Sequence, residues 1–81
     1  MKRSDITDEW LLEQREMHDA SPQPFYYAIL EANPHIPPKV LFRAIERCIA
    51  EGYMDYGISP CSVWITKRGK EAYMLYQQQL S

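Results

Sequence analysis

Eighty-one residues give room for one domain with one modest core, and a 46% hydrophobic, 25% charged composition argues against disorder. No apolar run approaches the roughly 18 residues that span a bilayer, and MKRSDITDEW has no apolar stretch after its basic pair, so neither a membrane anchor nor a secretory leader is expected. The net charge of −2 is uneven: residues 1–36 hold three basic and seven acidic side chains, residues 37–81 six basic and four acidic.

Residues 1–6 are expected to be flexible, ahead of a single domain that fills the rest of the chain. A first helix is predicted over 8–18, with Thr7 as N-cap and Asp8 and Glu9 at the positive end of its dipole. At 100° per residue, Trp10, Leu11, Gln14, Met17 and His18 share a face. Trp10 and Met17 are read as core, and Leu12 falls on the opposite side.

A second helix is predicted to begin near 22–24, capped by Ser21, and to bury Phe25, Ala28, Ile29 and Ala32. Asn33-Pro34 ends it, because a residue before proline is driven out of the α region. The short link over 33–37 forces the next helix to meet it at a steep angle.

The third helix is predicted over 38–51. Leu41, Ala44, Ile45, Cys48 and Ile49 cluster on one side, and Lys39, Arg43, Glu46, Arg47 and Ala50 on the other. Val40 and Phe42 stand at the borders. Three cations opposed only by Glu46 suit a helix that reads a DNA groove, since arginine bonds guanine edges bidentately. A solvated amphipathic face would show the same pattern.

Gly52 suits a left-handed residue after the helix end. Residues 53–56 and 63–66 read as paired strands, with Val63 and Ile65 on one side and Trp64 on the other. Trp64 is expected to pack on the body of the domain. The turn between the strands has no Lys or Arg, so any contact it makes with DNA would use backbone amides and the hydroxyls of Ser59 and Ser62. Thr66 then caps a last helix reaching about residue 79, whose face is Gly69, Ala72, Tyr73, Tyr76 and Leu80. Lys67, Arg68 and Lys70 stand in its first turn, where cations oppose the helix dipole.

Enzyme chemistry finds little support. His18 and His35 have no metal-ligand spacing to each other or to the cysteines, and three glycines build no phosphate loop. Cys48 falls on an apolar helix face, so a buried thiol in a cytoplasmic protein is expected rather than a disulfide. No cofactor and no metal are expected.

The stretches LFRAIERCIAEGYMDYG and VWITKRGKEAY resemble the core of the winged helix-turn-helix superfamily of small prokaryotic and viral regulators. Those proteins commonly show a recognition helix ending in an EEGL/Y turn, a hairpin, then a hydrophobic-T-x-x-G-x-x-hydrophobic run. Here Ala50-Glu51-Gly52-Tyr53 and the run from Ile65 through Thr66 and Gly69 to Ala72 correspond, and the likeness covers about residues 6–76. It implies an α+β fold: a three-helix core, a two-stranded β-hairpin wing and a C-terminal helix. It also implies a sequence-specific transcriptional regulator that binds double-stranded DNA, with Lys39, Val40, Phe42, Arg43 and Arg47 on the reading helix. The alternative is a winged-helix adaptor that binds a protein partner.

Small DNA-binding domains usually dimerise to read enough base pairs. Leu12, Met74 and Leu75 are left over once the predicted core is filled, and they mark a homodimer interface on the two terminal helices.

Overall fold

Local signals set most of the element ends in the computed structural model, which describes residues 1–19 and 23–80 and all their side chains but Leu80's. A short 3-10 turn, Arg3–Asp5, precedes α1, Asp8–Met17. There follow α2, Phe25–Ala32; α3, Pro38–Ala50; the strands β1, Met54–Tyr56, and β2, Val63–Ile65; and α4, Lys67–Leu80. The chain is thus a small α+β fold with four helices and a two-stranded antiparallel hairpin among the described residues. No helix of the described residues is long and apolar enough to cross a membrane.

Thr7 caps α1 by accepting a hydrogen bond from the backbone N–H of Trp10 at 3.1 Å. The start of α2 is solved differently. Ser21 lies outside the described residues, the helix begins only at Phe25, and the N–H of Tyr26 donates to the Cys61 carbonyl at 3.1 Å. A loop of the hairpin therefore takes a donor that the helix leaves unpaired. Asn33 closes α2 by donating from both its backbone N and Nδ2 to the Ile29 carbonyl.

Pro37 and Pro38 open α3, where a missing N–H costs nothing. Its other end is a Schellman turn: Gly52, at φ 83°, donates to the Ile49 carbonyl, and Tyr53 donates to that of Cys48. This turn aims the chain directly into β1. Met54 pairs with Ile65, Asp55 with Trp64 and Tyr56 with Val63. Thr66 then has two functions. Its hydroxyl donates to the Gly52 carbonyl and accepts from the N–H of Gly69, joining the end of α3 to the start of α4. Gly69 is buried where α4 passes Tyr53, the residue just before β1, and a Cβ there would strike the Tyr53 carbonyl. Only glycine fits so close an approach.

The core gathers Ile6, Leu11, Leu12, Phe25, Ile29, Ile36, Leu41, Ala44, Ile45, Cys48, Met54 and Val63. Ile49, Ile65, Ala72, Tyr73 and Tyr76 pack against it from the edges, as does Trp10. Cys48 and Cys61 are free thiols, and Cys48 is buried.

Several expectations need correction. Leu12 is fully buried, at 0% exposure, because α1 is covered by α3, β2 and α4 together and so buries more than one stripe. It is unavailable for a dimer interface. Met17 stands 68% exposed at the end of α1, and Ala32 is exposed at the end of α2. Trp64 does not pack fully on the body of the domain: it is 48% exposed on the outer face of the hairpin. Residues 1–6 carry the 3-10 turn, and Ile6 enters the core at 3% exposure.

Candidate nucleic-acid interface

The buried residues of α3 fall at positions 41, 44, 45 and 48, so burial of that stripe turns Lys39, Arg43 and Glu46 outward. Lys39 and Arg43 are four residues apart, one above the other on the helix surface. Both are exposed, and neither makes an ion pair among the described residues. Val40 is half-buried and packs on the core. Phe42 is half-buried too, edge-on to the Tyr26 ring with centroids 5.9 Å apart. These two border residues tie the helix to the body of the domain.

The outward face of α3 forms one wall of an open cleft of about 670 Å³. Lys39, Val40, Arg43 and Glu46 line that wall, and Met1, Lys2 and Arg3 line the other. Four cationic side chains thus meet one carboxylate. Lys2 and Arg3 were missed by sequence reasoning, which treats the N-terminal basic pair only as a failed leader. The available signal was Ile6, a lone apolar residue just before the α1 cap that had to be buried somewhere.

Arg47 does not belong to this outward set. Its Nε donates to Asp8 Oδ1 at 2.9 Å, Nη1 donates to the Arg3 carbonyl at 3.0 Å, and Nη2 donates to the Ile6 carbonyl. The guanidinium is mostly covered, and its fork of donors is spent on the segment that enters α1. Reading from helix periodicity placed Arg47 beside Arg43. The segment 3–8, folding back along α3, covers it instead.

Asp8 is the hub of this closed cluster. Besides Arg47 it accepts from the Cys48 thiol at 3.1 Å. Burial pushes the Asp8 carboxyl up, but hydrogen bonds from Glu51, Cys48 and Arg47, together with the Arg47 charge, outweigh it and hold Asp8 below the ordinary carboxylate range. Glu51 moves the other way, raised first by its hydrogen bond to Asp8 and then by burial and the Asp8 charge. Burial, reinforced by the bond to Asp8, pushes the Cys48 thiol up and leaves it protonated. The cluster ties the start of α1 to the end of α3.

The hairpin residues point to a different place. Ser59 Oγ accepts from the N–H of Cys61 at 3.2 Å, and the Ser59 carbonyl accepts from the N–H of Ser62, so part of their polar capacity folds the turn itself. Both line a second cleft, of about 700 Å³, with Arg15, His18, Phe25, Ile58 and Trp64. The two clefts share no lining residue, so Ser59 and Ser62 are not brought together with Lys39 and Arg43. Arg15 sits at this second cleft partly committed, donating from Nε to the Val63 carbonyl at 2.8 Å with its guanidinium over the Phe25 ring. Met74 and Leu75 stand 58% and 59% exposed on α4.

Among the described residues no group of three or more His, Cys, Asp and Glu could hold a metal ion. Comparison with protein-family models, curated proteins and solved structures finds no match to this chain.

Proposed function

We propose that this chain is a DNA-binding domain of winged-helix type, acting in transcriptional regulation, with α3 as the groove-reading helix. The observation that carries the reading is the exposed pair Lys39 and Arg43, four residues apart on the outward face of a helix whose opposite face is buried. The element order supports it: α2, a short proline-bounded link, α3, a glycine turn, a hairpin and a last helix. On this reading Arg43 addresses base edges and Lys39 addresses phosphate or base near the start of the helix.

The test is fluorescence titration of the chain against random-sequence and genomic duplexes at low and moderate salt. Binding that weakens steeply with salt is expected, because displaced counterions drive association with the phosphate backbone. Absence of binding at about 10 μM in low salt, where non-specific affinity is greatest, would discard the reading.

Met74 and Leu75 supply the remaining candidate for a homodimer contact, through α4 alone now that Leu12 is buried. Light scattering at tens of micromolar checks it. A monomeric mass that Met74→Glu with Leu75→Glu leaves unchanged would remove the dimer from the proposal.

A second reading, a module that binds a protein partner, is favoured by one observation: Tyr56, Ile58 and Trp64 are exposed apolar side chains on one hairpin. An apolar protein contact responds little to salt, which separates it from DNA binding in the same titration.

A further inference from the structure

We infer that the N-terminal segment is a second DNA-contacting arm, in which Lys2 and Arg3 bind backbone phosphates beside α3 and Arg47 is the positioning residue that holds the arm there. The inference rests on the DNA-binding reading of α3 and adds to it a site on a different part of the chain.

Three anchors fix the arm. Ile6 is buried in the core. Arg47 donates to the carbonyls of Arg3 and Ile6. The turn closes on itself, with the Lys2 N–H donating to Asp5 Oδ2 at 2.8 Å and the Asp5 N–H donating to the Lys2 carbonyl at 2.9 Å. The backbone is thereby held while the Lys2 and Arg3 side chains stay exposed. Neither makes an ion pair among the described residues, and the cleft they share with Lys39 and Arg43 has Glu46 as its one acidic lining residue.

Clustering four cations costs self-repulsion, and the cluster stands on a chain whose net charge is −2, so it is a local feature and not part of a general basic surface. A partner that repays this cost carries closely spaced negative charges along its length. The cleft is open and has walls from two chain segments, which suits a duplex lying across it better than an enclosed small anion. Sugar-phosphate contacts of this kind fix register and orientation without reading sequence. They would let a helix with only two outward cations hold its place on DNA.

The experiment is a salt titration of binding to one duplex of about 20 base pairs, comparing the parent with Lys2→Ala/Arg3→Ala, Lys39→Ala/Arg43→Ala, Lys67→Ala/Lys70→Ala and Arg47→Lys. Removing Lys2 and Arg3 is expected to lower the slope of log affinity against log salt by about 2, since each phosphate contact contributes about 0.9, and to weaken low-salt binding about tenfold or more. The Lys67/Lys70 variant removes the same charge elsewhere and should leave the slope near the parent's. Arg47→Lys keeps the charge and loses the fork. It should flatten the slope in the parent but not in the Lys2→Ala/Arg3→Ala background.

An unchanged slope for the Lys2/Arg3 variant, or one matching the Lys67/Lys70 variant, overturns the arm while the α3 reading stands on its own variant. A slope insensitive to Arg47→Lys, with only the melting temperature lowered, overturns the positioning role. A parent that binds no duplex overturns the α3 reading and the arm with it. The outward-facing substitutions are not expected to disturb folding, so a negative result reports on binding.

Discussion

Arg43 and Arg47 stand one helical turn apart on α3 and lead different lives. Arg43 is exposed and makes no ion pair among the described residues; Arg47 is mostly covered, with bonds to Asp8, Arg3 and Ile6. The same contrast divides the helix as a whole. Its N-terminal half opens on a cationic cleft, and its C-terminal half closes on a cluster of Asp8, Arg47, Cys48 and Glu51. Residue type is identical at the two arginines, so the difference comes from what the rest of the chain brings alongside. Three groups of segment 3–8 lie within hydrogen-bonding reach of position 47.

The contrast can be broken at several points. The largest effect is expected from the core on which both halves rest. Ile45 is fully buried, and Ile45→Ala should cost about 2–5 kcal/mol in urea unfolding. A loss below about 0.5 kcal/mol would mean that α3 does not sit on the core as described.

Arg47→Ala comes next. It removes charge-assisted bonds and leaves a partly buried Asp8 without its cation, so a loss of about 2–3 kcal/mol is expected. A melting temperature equal to the parent's would place Arg47 back among the solvent-facing residues.

Asp8→Asn tests the same joint by pH, with an expected loss of about 1–2 kcal/mol at pH 7. The Asp8 carboxyl is held below its ordinary value in the folded state, so its contribution is present above the unfolded value of about 3.9 and is lost as pH falls through the lowered folded value. The gap between parent and variant should therefore narrow below about pH 4. A gap that stays constant down to pH 2 would exclude the ionised carboxylate as its source.

Arg43→Ala should move stability by less than about 0.5 kcal/mol, as befits an exposed side chain away from any cap or ion pair. On the DNA-binding reading, its effect appears in affinity instead. Substituting Arg43 and Arg47 together thus separates two consequences, weaker binding from the first and lower stability from the second. A variant lacking Arg43 that binds every duplex as well as the parent removes α3 from the groove.

Helix starts and stops were legible because they depend on near neighbours. The Thr7 cap, the proline opening of α3, the left-handed Gly52 and the Thr66 cap were all readable from a few consecutive residues. The hairpin was legible for the same reason, down to Val63 and Trp64 facing opposite ways. The α2 start was not, since its donor is taken by a carbonyl 35 residues away. Of the candidate site, Lys39 and Arg43 were found from helix period alone. Lys2 and Arg3 escaped, because no periodic signal marks a six-residue segment that packs as a strap.

The sequence by itself determined the order of the elements and the buried stripe of α3, because caps, glycine turns and apolar spacing act over one or two helical turns. Only the tertiary structure decided which polar residues remained outward. Leu12 was drawn inside because α1 is covered by α3, β2 and α4 together. Arg47 was captured because Ile6, seeking burial, carried the carbonyls of residues 3 and 6 and the carboxylate of Asp8 to within reach of its guanidinium. A side chain's periodicity fixes the direction it leaves its helix; the segment packed beside that helix fixes whether it meets water or a partner.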